Sequence, residues 1–173
     1  VLWGRRCDIG QPVLIERISG ISRARLHGAL ARADALLALA HPNLARCVEV
    51  FVDEGALHAV MVPGAGATLT PARRLVARAE AIAWGVQICN ALNYLAWRPE
   101  AGGAVPAVDP TTVFVSAAGR VRLVNLTALL GCGIPRYRSR FLPSEASGAK
   151  DAAVFSIGAT LHHVLTGWQG RYA

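Results

Sequence analysis

Ala104–Leu130, AVPAVDPTTVFVSAAGRVRLVNLTALL, reads as loop, strand, turn, strand, loop. Pro110 closes a turn after Asp109. Val113-Phe114-Val115 is a short apolar, β-branched and aromatic strand. Ala117-Ala118-Gly119-Arg120 is a turn, with Gly119 where a positive φ is tolerated. Val121-Arg122-Leu123-Val124 is the returning strand, its apolar run broken by Arg122. Two short strands joined by a tight turn hold two loops side by side, before Val113 and after Val124. Loops on such a rigid hairpin are where chemistry sits.

Working outward, Val1–Trp3 and Pro12–Ile18 read as strands around the polar turn RRCDIGQ. Ser22 is an N-cap for a helix from about Arg23 to Ala40, with Leu26, Leu30, Ala33, Leu37 and Ala40 at helical spacing. His41-Pro42-Asn43-Leu44 follows, then strands over Val48–Val52 and Leu57–Val62 around Asp53-Glu54-Gly55. Thr70-Pro71 starts a short helix decorated by Arg73, Arg74 and Arg78. A longer helix runs from about Arg78 to Trp97, and its stripe Ile82, Val86, Cys89, Leu92 and Leu95 predicts a buried face. Beyond the hairpin lie a Gly- and Pro-containing loop, the basic cluster Arg136-Tyr137-Arg138-Ser139-Arg140 and Phe141-Leu142-Pro143-Ser144-Glu145. A last apolar helix, around Val154–Leu165, ends at Gly167 as C-cap.

The totals exclude several classes. The chain has 173 residues, 53% hydrophobic and 17% charged, which is globular composition sufficient for an ordinary core. No run reaches the roughly 18 apolar residues of a membrane span, and VLWGRRCDIG does not read as a signal peptide. Cys7, Cys47, Cys89 and Cys132 are widely spaced without a C-x-x-C pair, so reduced buried thiols are expected rather than disulfides or metal ligands. Adjacent His162 and His163 point to different faces and make no metal pair. The net charge is +7, and the only lysine is Lys150. A basic surface favours anionic partners. Apart from Tyr137, the Arg clusters lack interleaved aromatics, so nucleic acid is not expected.

The order and spacing of HPNL, the hairpin and SIGATLHHVLTG resemble the protein kinases, the bacterial serine/threonine type in particular. The resemblance runs along nearly the whole chain. It implies an α+β, two-lobe kinase-like fold, incomplete: residues 1–62 as a partial N-terminal lobe, 63–66 as hinge and 67–173 as a partial C-terminal lobe. The glycine-rich phosphate loop would precede Val1 and further helices would follow Gly167, so a fragment or an abbreviated domain is expected.

Slot by slot, the resemblance keeps the frame and drops the chemical groups. Pro110 sets the register, so the His-Arg-Asp slots hold Val105, Pro106 and Ala107. The catalytic-loop Lys slot holds Asp109, the Asn slot Thr112, and the Asp-Phe-Gly slots Asn125, Leu126 and Thr127. PVLIERI resembles the strand carrying Val-Ala-Ile-Lys, with Glu16 in the lysine slot, and the helix glutamate falls on Arg32. An ion pair with its signs exchanged, Glu16 with Arg32, is therefore expected. Glu16 would face a polyphosphate, where two like charges about 4 Å apart repel by about 4 kcal/mol at an effective dielectric near 20. Ala107 accepts no proton, and the neutral Thr112 and Asn125 are weak Mg²⁺ ligands.

The nucleotide pocket implied by the resemblance is lined by Leu14, Met61 at the gatekeeper position, Val62, Gly64 and Phe114. Leu14 and Phe114 add bulk at its roof and floor. Leu36, Val105 and Leu126 keep the stacked apolar contacts between lobes. The expectation is a pseudokinase: a catalytically inactive, cytoplasmic regulatory or scaffold module, itself whole or part of a longer protein, with no cofactor. Arg136, Tyr137, Arg138 and Arg140 read either as a docking site for an acidic or phosphorylated protein partner or as a solvated loop. The alternatives are a nucleotide sensor binding ATP without metal, and a weak ATP- and Mg²⁺-dependent serine/threonine kinase with Asp109 as displaced base and Arg17 as cation.

Overall fold

The computed structural model describes residues 2–69, 75–98, 105–124, 126–131, 141–143 and 148–168. Strands β1 (Leu2–Arg5), β2 (Pro12–Ile18), β3 (Arg46–Asp53) and β4 (Ala56–Val62) form one antiparallel sheet in the order β1-β2-β4-β3. Glu54 and Gly55 join β3 to β4 with both φ positive, 48° and 70°. That two-residue turn twists with its strands. The chain then passes through Pro63–Gly66 into β5 (Ala67–Thr68), which pairs with the hairpin β6 (Val113–Val115) and β7 (Val121–Leu123) in a second sheet. Gly119, at φ 71°, closes that hairpin as expected. Helices α3 (Arg78–Ala96) and α4 (Ala149–Thr166) pack together, and α4 ends on Gly167 in the left-handed conformation. Sheet, helices and hairpin share one hydrophobic core. The architecture is α+β, with two antiparallel sheets and helices.

Several expectations need correction. The helix expected from Arg23 to Ala40 is two: α1 (Arg23–Leu30), capped by the Ser22 hydroxyl on the Arg25 amide, and α2 (Ala33–Leu37). Between them the chain tightens, the Arg32 amide bonding the Ala29 carbonyl at 3.1 Å. The buried face is Leu26, Ala29, Ala33 and Leu36, whereas Leu30 is exposed. In α3, Ile82 and Val86 are 55% and 56% exposed and Cys89 is exposed as well. The buried face is instead Ala81, Trp84, Gly85, Ile88, Ala91, Leu92 and Leu95. The reason is close approach: a Cβ on Gly85 would lie 2.9 Å from Leu161 of α4, so the small-residue side faces the neighbouring helix. Of the cysteines expected to be buried, Cys47 is and Cys7 is not, while Cys132 lies outside the described residues. Burial pushes the Cys47 thiol up to about 11. Among the described residues no helix is long and apolar enough to cross a membrane, and no cluster of His, Cys, Asp or Glu has the geometry to hold a metal ion.

Candidate functional site: the slot between the two sheets

Cross-strand register builds the roof of the slot. Trp3 opposes Leu14, Leu14 opposes Met61, and Met61 opposes Cys47. Directly opposed residues of antiparallel strands share a face, so these four form one row across the sheet. From the other side Phe114 of β6 meets the row, its ring centroid 5.8 Å from that of Trp3 at 45°. Leu14, Met61 and Phe114 are 1%, 0% and 2% exposed. These three side chains present almost no surface to solvent, whereas Trp3 at the edge of the row is 57% exposed.

The strand-to-strand connection beside the slot is held as tightly. Arg122 donates from Nη1 to the Pro63 carbonyl at 2.9 Å. Gly64 has φ 87°, and a Cβ there would collide with that guanidinium. A Cβ on Gly66 would collide with the Val115 carbonyl and the Phe114 ring, so glycine is required at both positions. Val62, half-buried, pairs with Arg46 at the end of β4.

Glu16 lies behind the slot and is 9% exposed. Its Oε2 accepts from the Thr127 amide at 3.3 Å. Burial raises its carboxyl to about 7, against the opposing effect of the Thr127 hydrogen bonds. Arg32 is exposed and donates from Nη1 to the Leu130 carbonyl at 3.2 Å. Among the described residues Glu16 and Arg32 make no ion pair, which corrects the expected exchange of charges. The physical reason is the 3₁₀ turn Thr127–Leu130, whose first amide takes Glu16 and whose last carbonyl takes Arg32. Both side chains fasten the small sheet and its helix to that turn, each to backbone.

In the first loop of the hairpin the side chains of Asp109 and Thr112 bond within the turn itself. Asp109 Oδ1 accepts from the Thr111 amide at 2.7 Å and from its hydroxyl at 2.5 Å. The buried Thr112 hydroxyl accepts from the Asp109 amide and donates to the Asp109 carbonyl, each at 2.9 Å. These are the local side-chain to backbone bonds that Asp and Thr make in turns. Ala107 contributes no acid or base. Asn125, Arg136, Tyr137, Arg138, Arg140 and Glu145 lie outside the described residues, as does the Thr70-Pro71 helix start.

Sequence reasoning missed the residues that hold this loop in place. Ser156 Oγ accepts from the Val108 amide at 3.0 Å and donates to the Ala153 carbonyl at 2.8 Å. Thr160 donates to the Val108 carbonyl at 3.2 Å, and both hydroxyl residues are fully buried. Gln87 and Asn43 form a second tie: Asn43 Nδ2 donates to Gln87 Oε1 at 3.0 Å and to the Val121 carbonyl at 2.9 Å. Gln87 Oε1 also accepts from the Val121 amide, and its Nε2 donates to the Gly119 carbonyl at 3.0 Å. The available signal was polar residues inside apolar helical stretches, which must find partners when buried.

No family model matches the sequence, and no curated protein matches it. Among solved structures, the fold is similar to that of Rad53 1-466 in complex with AMP-PNP, with a TM-score of 0.73 at 18% sequence identity. The similarity covers 96% of this chain and 44% of that one. It supports the kinase-like fold on structural grounds alone.

Proposed function

We infer that this chain is a catalytically inactive kinase-like domain that works by binding protein, as a regulatory or scaffold module. The observation that carries the reading is the filled slot. Leu14, Met61 and Phe114 occupy, almost without exposure, the space where the resemblance would seat a nucleotide base. Glu16 then presents a carboxyl where that family presents a lysine, and Asp109 is engaged in its own turn. A ligand in this space would have to displace packed core side chains, and forcing added bulk into a packed core costs about 1–3 kcal/mol. The partner is an acidic or phosphorylated protein that docks on Arg136, Tyr137, Arg138 and Arg140, in the cytoplasm, and no cofactor takes part.

A nucleotide sensor or a weak kinase using Asp109 is the second reading. It is favoured by the AMP-PNP bound in the similar Rad53 structure. A thermal-shift titration of the purified chain with ATP, with and without Mg²⁺ or Mn²⁺, separates the two. A ligand that binds only the folded state raises the midpoint by an amount set by its concentration over Kd. No shift at millimolar nucleotide is expected. A saturable shift would sink the binding-only reading and bring the second forward.

A further inference from the structure

Among the described residues Glu16 is the only buried carboxyl. Its Oε2 accepts from the Thr127 amide at 3.3 Å, a long bond, and no cation is in ion-pair reach among the described residues. The surrounding elements supply no compensation. On β4 it opposes Ala59, while Arg17 and His58 alternate to the other face of the sheet. Arg5 of β1 lies at the far end of β2, opposite Pro12. β3 brings the buried Cys47 thiol, which burial keeps neutral. The 3₁₀ turn Thr127–Leu130 carries no charge. On the helix pair, Arg32 donates to the Leu130 carbonyl and Asp34 is exposed. Burial raises the Glu16 carboxyl to about 7, against the pull of the Thr127 bonds and of the chain's amino group.

An ionised carboxylate in that place is a buried charge without a cation, so either a proton binds or the side chain moves. The movement is local. The pairing of β2 with β4 runs from backbone to backbone and does not depend on the Glu16 side chain. The turn's own bonds are short-range, from the Leu129 amide to the Leu126 carbonyl and from the Gly131 amide to the Ala128 carbonyl. Glu16 holds the first amide of that turn and Arg32 its last carbonyl. Losing Glu16 therefore frees one end of the turn while the sheet stays paired.

We propose that Glu16 and the Thr127–Leu130 turn form a pH-sensitive clasp: the protonated carboxyl stays in place and holds the turn to the small sheet, and the ionised carboxyl leaves for water and releases it. Any opening that hydrates Glu16 is favoured by the difference in proton affinity between the buried and the hydrated carboxyl. From about 7 to the ordinary 4.5, that difference is a factor of about 300 in the opening equilibrium. The inference rests on the fold alone and holds whether or not a nucleotide binds.

The test is amide hydrogen exchange of the whole purified chain from about pH 4.5 to about pH 8, read residue by residue by NMR and corrected for the intrinsic rate. Protection of the Thr127, Leu129 and Gly131 amides should fall by up to about 300-fold and level off above about pH 7. Amides of β2 and β4 should remain the better protected throughout. Glu16→Gln keeps an acceptor for the Thr127 amide and cannot ionise, so protection of its turn should not change with pH. Turn protection independent of pH in the parent, or the same slope in Glu16→Gln, would overturn the proposal. So would protection that rises with pH, because the carboxylate would then be gripping the amide. Equal protection of turn and strands would overturn it too, because the opening would then be global unfolding.

Discussion

The polar ties around the hairpin and the polar groups at the slot behave in opposite ways. Asn43, Gln87, Ser156 and Thr160 each reach across elements distant in sequence and fix loop backbone to helix. The side chains of Asp109 and Thr112, where the resemblance would place catalytic-loop chemistry, bond only to residues within three positions of themselves among the described residues. Long-range bonds specify a fold; local ones merely shape a turn. The scaffold is tied by long-range bonds, and beside the slot the buried side chains Leu14, Met61 and Phe114 are apolar.

The strongest way to break this contrast is at the floor of the slot. Phe114→Ala removes a ring that is 2% exposed and packed against Trp3 and Gly66. If the ring is core, the loss is about 3–5 kcal/mol, the range for a buried Phe truncated to Ala, read by denaturant unfolding. A loss under about 1 kcal/mol would mean that the slot is loosely filled and the contrast overstated. The same variant sharpens the functional reading. Opening the floor leaves Glu16 in place, so ATP is still not expected to raise its melting temperature.

Glu16 supplies the next effect. Its carboxyl titrates at about 7 in the folded chain against an ordinary 4.5. Between those two values the folded state holds more protons than the unfolded one, so stability falls as pH rises through the window. The protonated form gives its full benefit below 4.5, and about 3 kcal/mol is lost by roughly pH 8. Glu16→Gln keeps an acceptor for the Thr127 amide and removes the titration. The two proteins should unfold alike near pH 4.5, and the variant should be the more stable by about 3 kcal/mol at roughly pH 8. Taking the difference between them cancels the opposite slope that the depressed His41 introduces. Equal stability across the whole range would show that Glu16 is not titrating in its buried position.

The hairpin, the four strands and both long helices were legible because their signals are local: alternation, turn glycines and apolar spacing. The fold class followed from the order of motifs along the chain. Apolar spacing alone did not say which side of α3 is covered, because Ile82 and Val86 are as apolar as Ile88 and Leu92. Packing decided that, through Gly85 and Leu161. The structure buries Leu14, Met61 and Phe114 almost completely. The Glu16–Arg32 pair failed because a slot-by-slot reading assumes that helix and strand face each other directly. It could not see that the turn at Thr127–Leu130 would take both side chains. Ser156 and Gln87 were passed over because a lone hydroxyl or amide in a helix announces no partner until tertiary contacts supply one.

The smallest effect tests the scaffold side. Asn43 is 9% exposed and donates to both Val121 and Gln87. Asn43→Ala removes a donor from the Val121 carbonyl, a buried acceptor whose desolvation costs about 1–3 kcal/mol. Gln87 Oε1 keeps its bond from the Val121 amide, so the second partner is not stranded. The expected loss is therefore near 2 kcal/mol. Whether the residues act as one tie or as separate contacts is decided by a double-mutant cycle with Gln87→Ala. Residues in one hydrogen-bond network show a coupling of about 0.5–3 kcal/mol, whereas independent sites add to within about 0.5 kcal/mol. Coupling of that size would establish that HPNL, α3 and the hairpin are joined by a network. Simple additivity would leave the joining of the two sheets to the apolar core, and the contrast between scaffold and slot would lose its polar half.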